Sequence, residues 1–233
     1  GVINRIQKEA DGVPIREISV QGGSYDNRRV TIDAGGAVNG NVAARVNAMY
    51  EKSDTFRDYV SLERWGINPT VTIRGDDTKV KLSYEYLHDD RTADRGIPAL
   101  GYAVGAPSRF NPTIPYPTDP SKFFGNPDLS YSLQDVHIAN ATVEHDFNNG
   151  LTVKSSSRYA HYNKFYQNVF PNTGVFVNPT TNTYSISSYN NDLERTNVFN
   201  QTDWTYRTHT GPIKHTILFG TEVGRQVSDS LRN

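Results

Sequence analysis

From Lys79 to Tyr86 the chain reads KVKLSYEY, alternating polar and apolar without a break. Successive side chains of an extended strand point to opposite faces. Val80, Leu82, Tyr84 and Tyr86 therefore share one face, and Lys79, Lys81, Ser83 and Glu85 share the other. A helix would scatter these residues around its circumference. The same period recurs along the chain, and helical periodicity is nearly absent. It places strands at 14–23, 28–35, 42–52, 60–74, 79–88, 134–147, 151–163, 193–206 and 214–225, about nine in all. The stretch 60–74 fits least well. It holds Gly66 and Pro69, and proline gives no donor to a ladder.

The connections constrain the fold further. Short turns are expected at Gly75–Thr78, Asn148–Gly150 and Arg207–Pro212, and long connections at 89–132 and 164–190. Loops in compact soluble domains have a median of about 4–6 residues. If the strands run up and down, the long loops fall at one end and the short turns at the other, as in outer-membrane barrels. The two faces agree with this. Val30, Ile32 and Ala34 oppose Arg29, Thr31 and Asp33. Ala44, Val46, Ala48 and Tyr50 oppose Arg45, Asn47 and Glu51. Ala139, Ala141 and Val143 oppose Asn140, Thr142 and Glu144. Trp65, Trp204 and Tyr206 suit an interfacial girdle. A soluble sandwich or solenoid can alternate in the same way with its charges facing water, and pattern alone leaves that reading open. Gly22-Gly23 and Gly35-Gly36 read as bulges or turns at strand ends.

Composition removes several classes. The 233 residues carry a net charge of −1, so no global field points to nucleic acid. There is no cysteine, hence no disulfide, thiolate metal site or cysteine nucleophile. Mean hydropathy is −0.62, yet the 14 tyrosines argue against a disordered chain. No run of about 18 apolar residues forms a membrane-spanning helix. The opening Gly1–Arg5 lacks the pattern of a leader, and the last residues are polar. Either the protein is cytosolic or the chain is processed or partial. No GxSxG, HExxH or phosphate-loop pattern supports catalysis.

Several stretches, in order, resemble the TonB-dependent siderophore receptors of Gram-negative outer membranes. GVINRIQKEA (1–10) is similar to the last strand of that family's plug domain. GSYDNRRVTIDAGG (23–36) resembles its first barrel hairpin, and DDRTADRGIPA (89–99) the start of a large extracellular loop. FFGNPD (123–128), RYAHYNKFYQNVFP (158–171), FNQTDWTY (199–206) and HTILFGTEVGRQ (215–226) follow. The resemblance implies an all-β fold: an antiparallel up-and-down meander of about nine strands, part of a roughly 22-stranded transmembrane β-barrel. It implies a partial chain, with residues 1–10 ending a plug domain and 11–233 opening the barrel. Residues 1–10 should then stand apart from the meander, and the sheet should be open at both edges. The implied function is energised uptake of a ferric siderophore in the outer membrane. The partners would be the siderophore, outer-membrane lipid, and TonB through an N-terminal segment outside this stretch. Nucleic acid is not among them.

A siderophore encloses iron with its own oxygens. Such a receptor needs no protein cofactor or metal cage, only rings, hydrogen bonds and cations around a pocket. The six histidines show no i,i+4 pairing. The Asp89, Asp90 and Asp94 cluster lacks EF-hand spacing and reads as solvated loop. The better signal is aromatic. Tyr102, Phe110, Tyr116, Phe123, Phe124 and Tyr131 fall in the first long connection. Phe165, Tyr166, Phe170, Phe176 and Tyr184 fall in the second. Candidate ligand residues are Tyr116, Phe123, Phe124, Tyr166 and Arg95. Loop packing competes as a role for each ring, and an ion pair with Asp90 or Asp94 competes for Arg91 and Arg95. Two other functions remain open: a passive pore without a plug, and a soluble carbohydrate-binding or enzymatic β-domain.

Overall fold

The computed structural model describes residues 6–98, 115–171 and 186–233. They form one nine-stranded sheet: β1 (Ile15–Gly23), β2 (Asn27–Ala37), β3 (Val42–Asp54), β4 (Ser61–Arg74), β5 (Thr78–Thr92), β6 (Tyr131–Asp146), β7 (Leu151–Pro171), β8 (Ile186–Thr210) and β9 (Ile213–Arg232). Each strand pairs antiparallel with its neighbours in sequence, so the sheet is a simple meander. β1 and β9 are edges that do not meet, as an open stretch of a larger barrel requires.

The connections of 38–41, 75–77, 147–150 and 211–212 lie at one end. The strand ends that flank 24–26, 55–60, 93–130 and 172–185 lie at the other, so the chain leaves and rejoins the sheet at one end for both long connections. Local chemistry sets the turns. Tyr25 and Asp26 both have positive φ (59° and 55°), the conformation that lets a tight hairpin follow the strand twist. At Gly150 a Cβ would sit 2.3 Å from the carbonyl oxygen of Arg207, so no side chain fits there.

Every ladder keeps one register from end to end, so side-chain parity holds along each strand. The glycine pairs form no bulges. Gly35 pairs with Arg45 and Gly36 with Ala44 in unbroken order. A Cβ on Gly35 would lie 2.8 Å from the Ala44 carbonyl oxygen, so this glycine permits close strand approach. The strand expected at 60–74 forms and keeps its register, although its pairing with β5 skips Asn68 and Pro69. Pro69 sits opposite Val46 on one side and leaves its N–H position empty on the other. The Asn68 side-chain amide donates to the Tyr84 carbonyl at 2.8 Å, replacing the donor that proline lacks.

The strands run further than their hydrophobic pattern. β7 continues to Pro171 and β8 begins at Ile186. Phe165, Tyr166 and Phe170 are therefore strand residues, and Tyr131 begins β6. Beyond the apolar band, on β7, aromatic and polar residues fall on both faces, so alternation vanishes while backbone pairing continues. Tyr102, Phe110, Phe176 and Tyr184 lie outside the described residues.

The two faces differ in kind. Ile18, Val20, Ile32, Trp65, Ile67, Leu82, Tyr84, Val143, Tyr159, Val198, Phe219 and Val223 share the outer face, and all are exposed. Among the described residues no second layer covers them. A band of this extent is not the surface of a soluble domain. The inner face carries paired charges. Arg29 and Arg64 both donate to Glu51, at 3.2 and 2.7 Å, and Arg45 clasps Asp33 at 2.8 and 2.7 Å. Arg91 pairs with Asp89. Across β5 to β7 the same face turns apolar, where Val136, Ile138 and Ala160 pack with Leu87 and Tyr162.

Residues 6–11 stand apart from the sheet and cross its inner face. Gln7 donates to Glu85 at 2.9 Å, Lys8 pairs with Asp33 at 2.7 Å, and Lys81 pairs with Glu9 at 2.6 Å. Arg45 and Arg74 donate to the carbonyl oxygens of Glu9 and Asp11. Residues 1–5, the rest of the expected plug strand, lie outside the described residues.

Candidate ligand-binding site

At the end that carries the long connections, parity brings Tyr166 and Phe170 of β7, Tyr189 of β8 and Arg232 of β9 to the inner face. The Tyr166 and Tyr189 rings lie 5.6 Å apart between centroids, and Phe170 meets Tyr189 edge-on at 5.9 Å. Arg95, in the segment leaving β5, lays its guanidinium 4.2 Å from the Phe170 centroid and 5.2 Å from that of Tyr189. Its Nη2 donates to the Tyr189 hydroxyl at 3.1 Å. Arg232 approaches the Tyr189 ring at 4.5 Å. The result is a cluster of three rings and two guanidinia facing inward.

Buried polar contacts hold the Arg95 segment in place. Asn168, fully buried on β7, donates to the Ala93 carbonyl at 2.6 Å. Ser130, equally buried, accepts from the backbone N–H of Val169 through its hydroxyl and from that of Ala93 through its carbonyl. Arg95 can therefore reach the strand rings without being part of a strand.

Among the sequence candidates, the structure brings Arg95 and Tyr166 into one cluster. Tyr116 and Phe124 form a separate edge-on pair at 6.0 Å, tied to the first stem by the Tyr116 N–H donating to the Pro98 carbonyl. Phe123 folds its ring back over Gly125, where a Cβ would lie 2.4 Å from the ring. The two arginines Arg91 and Arg95 differ in their ion pairing. Arg91 pairs with Asp89, Asp94 pairs with Arg57, and Arg95 pairs with no carboxylate among the described residues. Tyr189 and Arg232 escape sequence reading. Tyr189 stands in the polar run SSYNND, and only the register with Tyr166 shows which way it points.

The returning stem of the long connection has its own electrostatics. The Asp58 carboxylate raises the Lys122 ammonium above its usual range. The backbone N–H of Ser121 lowers the Asp119 carboxyl. Among the described residues no group of histidines and carboxylates is arranged to hold a metal ion.

No protein-family model matches the chain. It is 29% identical over 237 residues to the catecholate siderophore receptor Fiu of Escherichia coli K12, across 97% of this chain and 31% of Fiu. It is 28% identical over 243 residues to the probable TonB-dependent siderophore receptor PiuA of Acinetobacter baumannii, across 98% of this chain and 31% of PiuA. The crystal structure of Fiu in its closed form superposes with a TM-score of 0.83 at 27% identity, covering 98% of this chain and 34% of that one. The pyoverdine receptor FpvA of Pseudomonas aeruginosa PAO1 superposes with a TM-score of 0.84, and at 19% identity it speaks for the fold alone. The chain thus spans about a third of the length of these relatives, each of them named as a receptor. The expected resemblance is borne out, and so is the all-β, up-and-down barrel architecture.

Proposed function

We propose that this chain is a stretch of the barrel wall of a TonB-dependent siderophore receptor, and that the whole protein takes up a ferric siderophore across a Gram-negative outer membrane. The observation that carries this is the single-layer sheet. Its outer face is an exposed apolar band, its inner face is lined with ion pairs, and a non-strand segment lies across those pairs. In hydrocarbon every backbone donor and acceptor must be paired, which strands achieve only in a closed barrel. The strands here supply consecutive staves, and residues 1–10 are the end of a plug inside it. The likeness to Fiu and PiuA supports the same reading.

The ligand arrives at the end bearing the long connections. There the Arg95, Phe170 and Tyr189 cluster offers cationic and aromatic surfaces, which suit an anionic chelate with aryl rings. Iron is cargo, enclosed by the chelator's own oxygens. TonB acts through a segment outside these strands. The test is uptake of radiolabelled ferric siderophores by iron-starved cells expressing the full open reading frame. Uptake should saturate and should stop when TonB is deleted. Uptake that persists without TonB, and admits unrelated small solutes, would mark a passive pore.

A further inference from the structure

The short connection at 55–60 reaches across to both stems of the long connection at 93–130. Arg57 is the centre of that contact. Its Nε lies 2.8 Å from Asp94 Oδ2, with only 12% of the Arg57 side chain and 22% of the Asp94 side chain exposed. Its Nη1 donates to the carbonyl oxygens of Pro120 and Lys122, at 3.0 Å each. The Asp58 N–H donates to the Ser121 carbonyl at 2.7 Å, and Lys122 pairs with Asp58 at 3.1 Å. One guanidinium therefore joins the outgoing stem, one residue before Arg95, to the returning stem, one residue before Phe123.

The consequence for charge is specific. Asp94 is the carboxylate closest in sequence to Arg95. Its Oδ2 is taken by Arg57, and its Oδ1 accepts the Gly96 N–H at 2.8 Å. Arg95 turns away to the rings of Phe170 and Tyr189. A half-buried carboxylate without its guanidinium partner would seek another cation, and Arg95 is within one residue. We infer that Arg57 is a positioning residue for the ligand site, which occupies Asp94 and so keeps the Arg95 charge available to an anionic ligand. This rests on the ligand reading given above.

The test uses the full-length receptor on whole cells at matched surface levels. The probe is the ferric complex of 2,3-dihydroxybenzoate, an anionic aryl chelate. Arg57→Ala should weaken binding about tenfold, the scale of one charged contact. Adding Asp94→Asn to Arg57→Ala removes the competing carboxylate and should restore affinity to within about threefold of wild type. Arg57→Lys keeps a cation beside Asp94 and should also stay within about threefold. If the double variant remains as weak as Arg57→Ala, or if Arg57→Lys is equally weak, Arg57 only braces the loop and the inference is overturned. Wild-type binding by Arg57→Ala overturns it as well. If wild type itself does not bind the probe, the ligand reading falls, and this inference falls with it.

Discussion

Lys8 Nζ lies 2.7 Å from Asp33 Oδ2, and the same carboxylate accepts two contacts from Arg45. A segment outside the sheet is thus fastened to a pair already made within the wall. The two cations differ in setting. The Lys8 side chain is 58% exposed and that of Arg45 is 16% exposed. Lys8→Ala should cost no more than about 1 kcal/mol of folded stability, as exposed pairs do. Asp33→Ala strands the Arg45 guanidinium and should cost about 3 kcal/mol. Urea midpoints of the full receptor in detergent measure both. Equal shifts would contradict the ranking.

Facing decides the next outcome. Leu82 is 45% exposed on the outer face, whereas its neighbour Lys81 reaches Glu9 on the inner one. Leu82→Arg should impair assembly by about 2–4 kcal/mol, the cost of a cation at mid-membrane depth. Lys81→Gln should leave assembly unchanged. Heat-modifiable migration in outer-membrane extracts reports on both variants. Ser83→Arg, which alternation alone suggests is harmless, meets the Gln7 and Asn140 side chains instead and should loosen residues 6–11.

The Asn68 amide bonded to the Tyr84 carbonyl is a surrogate for the missing proline N–H. Asn68→Ala should cost about 1 kcal/mol, the net worth of one hydrogen bond. In a Pro69→Ala background the ladder can supply its own donor, and the same change should cost clearly less. A double-mutant cycle on denaturant midpoints measures that coupling. Additive effects would mean that the amide does not serve the ladder.

These residues also show what a sequence can reveal. Strand existence and facing were legible wherever one face was apolar, as in 79–86, because period-two alternation is the imprint of a two-sided environment. Where aromatic and polar residues fall on both faces, as beyond Asn163 on β7, the pattern fades and the strand runs further than its alternation shows. Val136 and Ile138 alternate with polar residues yet point inward, since an apolar patch on the inner wall looks the same as a lipid-facing one. Arg95 and Tyr166 were legible as chemistry but not as neighbours. Tyr189 and Arg232 join them only through the register of β7 to β9, and Arg57 acts across a contact between two loops that no local pattern encodes.

If the inward cluster of Arg95, Phe170 and Tyr189 receives a ferric chelate, equilibrium binding must depend on it. Whole cells displaying equal amounts of wild type, Arg95→Gln and Tyr189→Ala receptor would be titrated with ferric 2,3-dihydroxybenzoate. Each substitution should weaken binding about tenfold, as loss of a central arginine or aromatic contact does. Affinities within about twofold of wild type for both variants would contradict the claim and would leave the cluster as packing between the long connections.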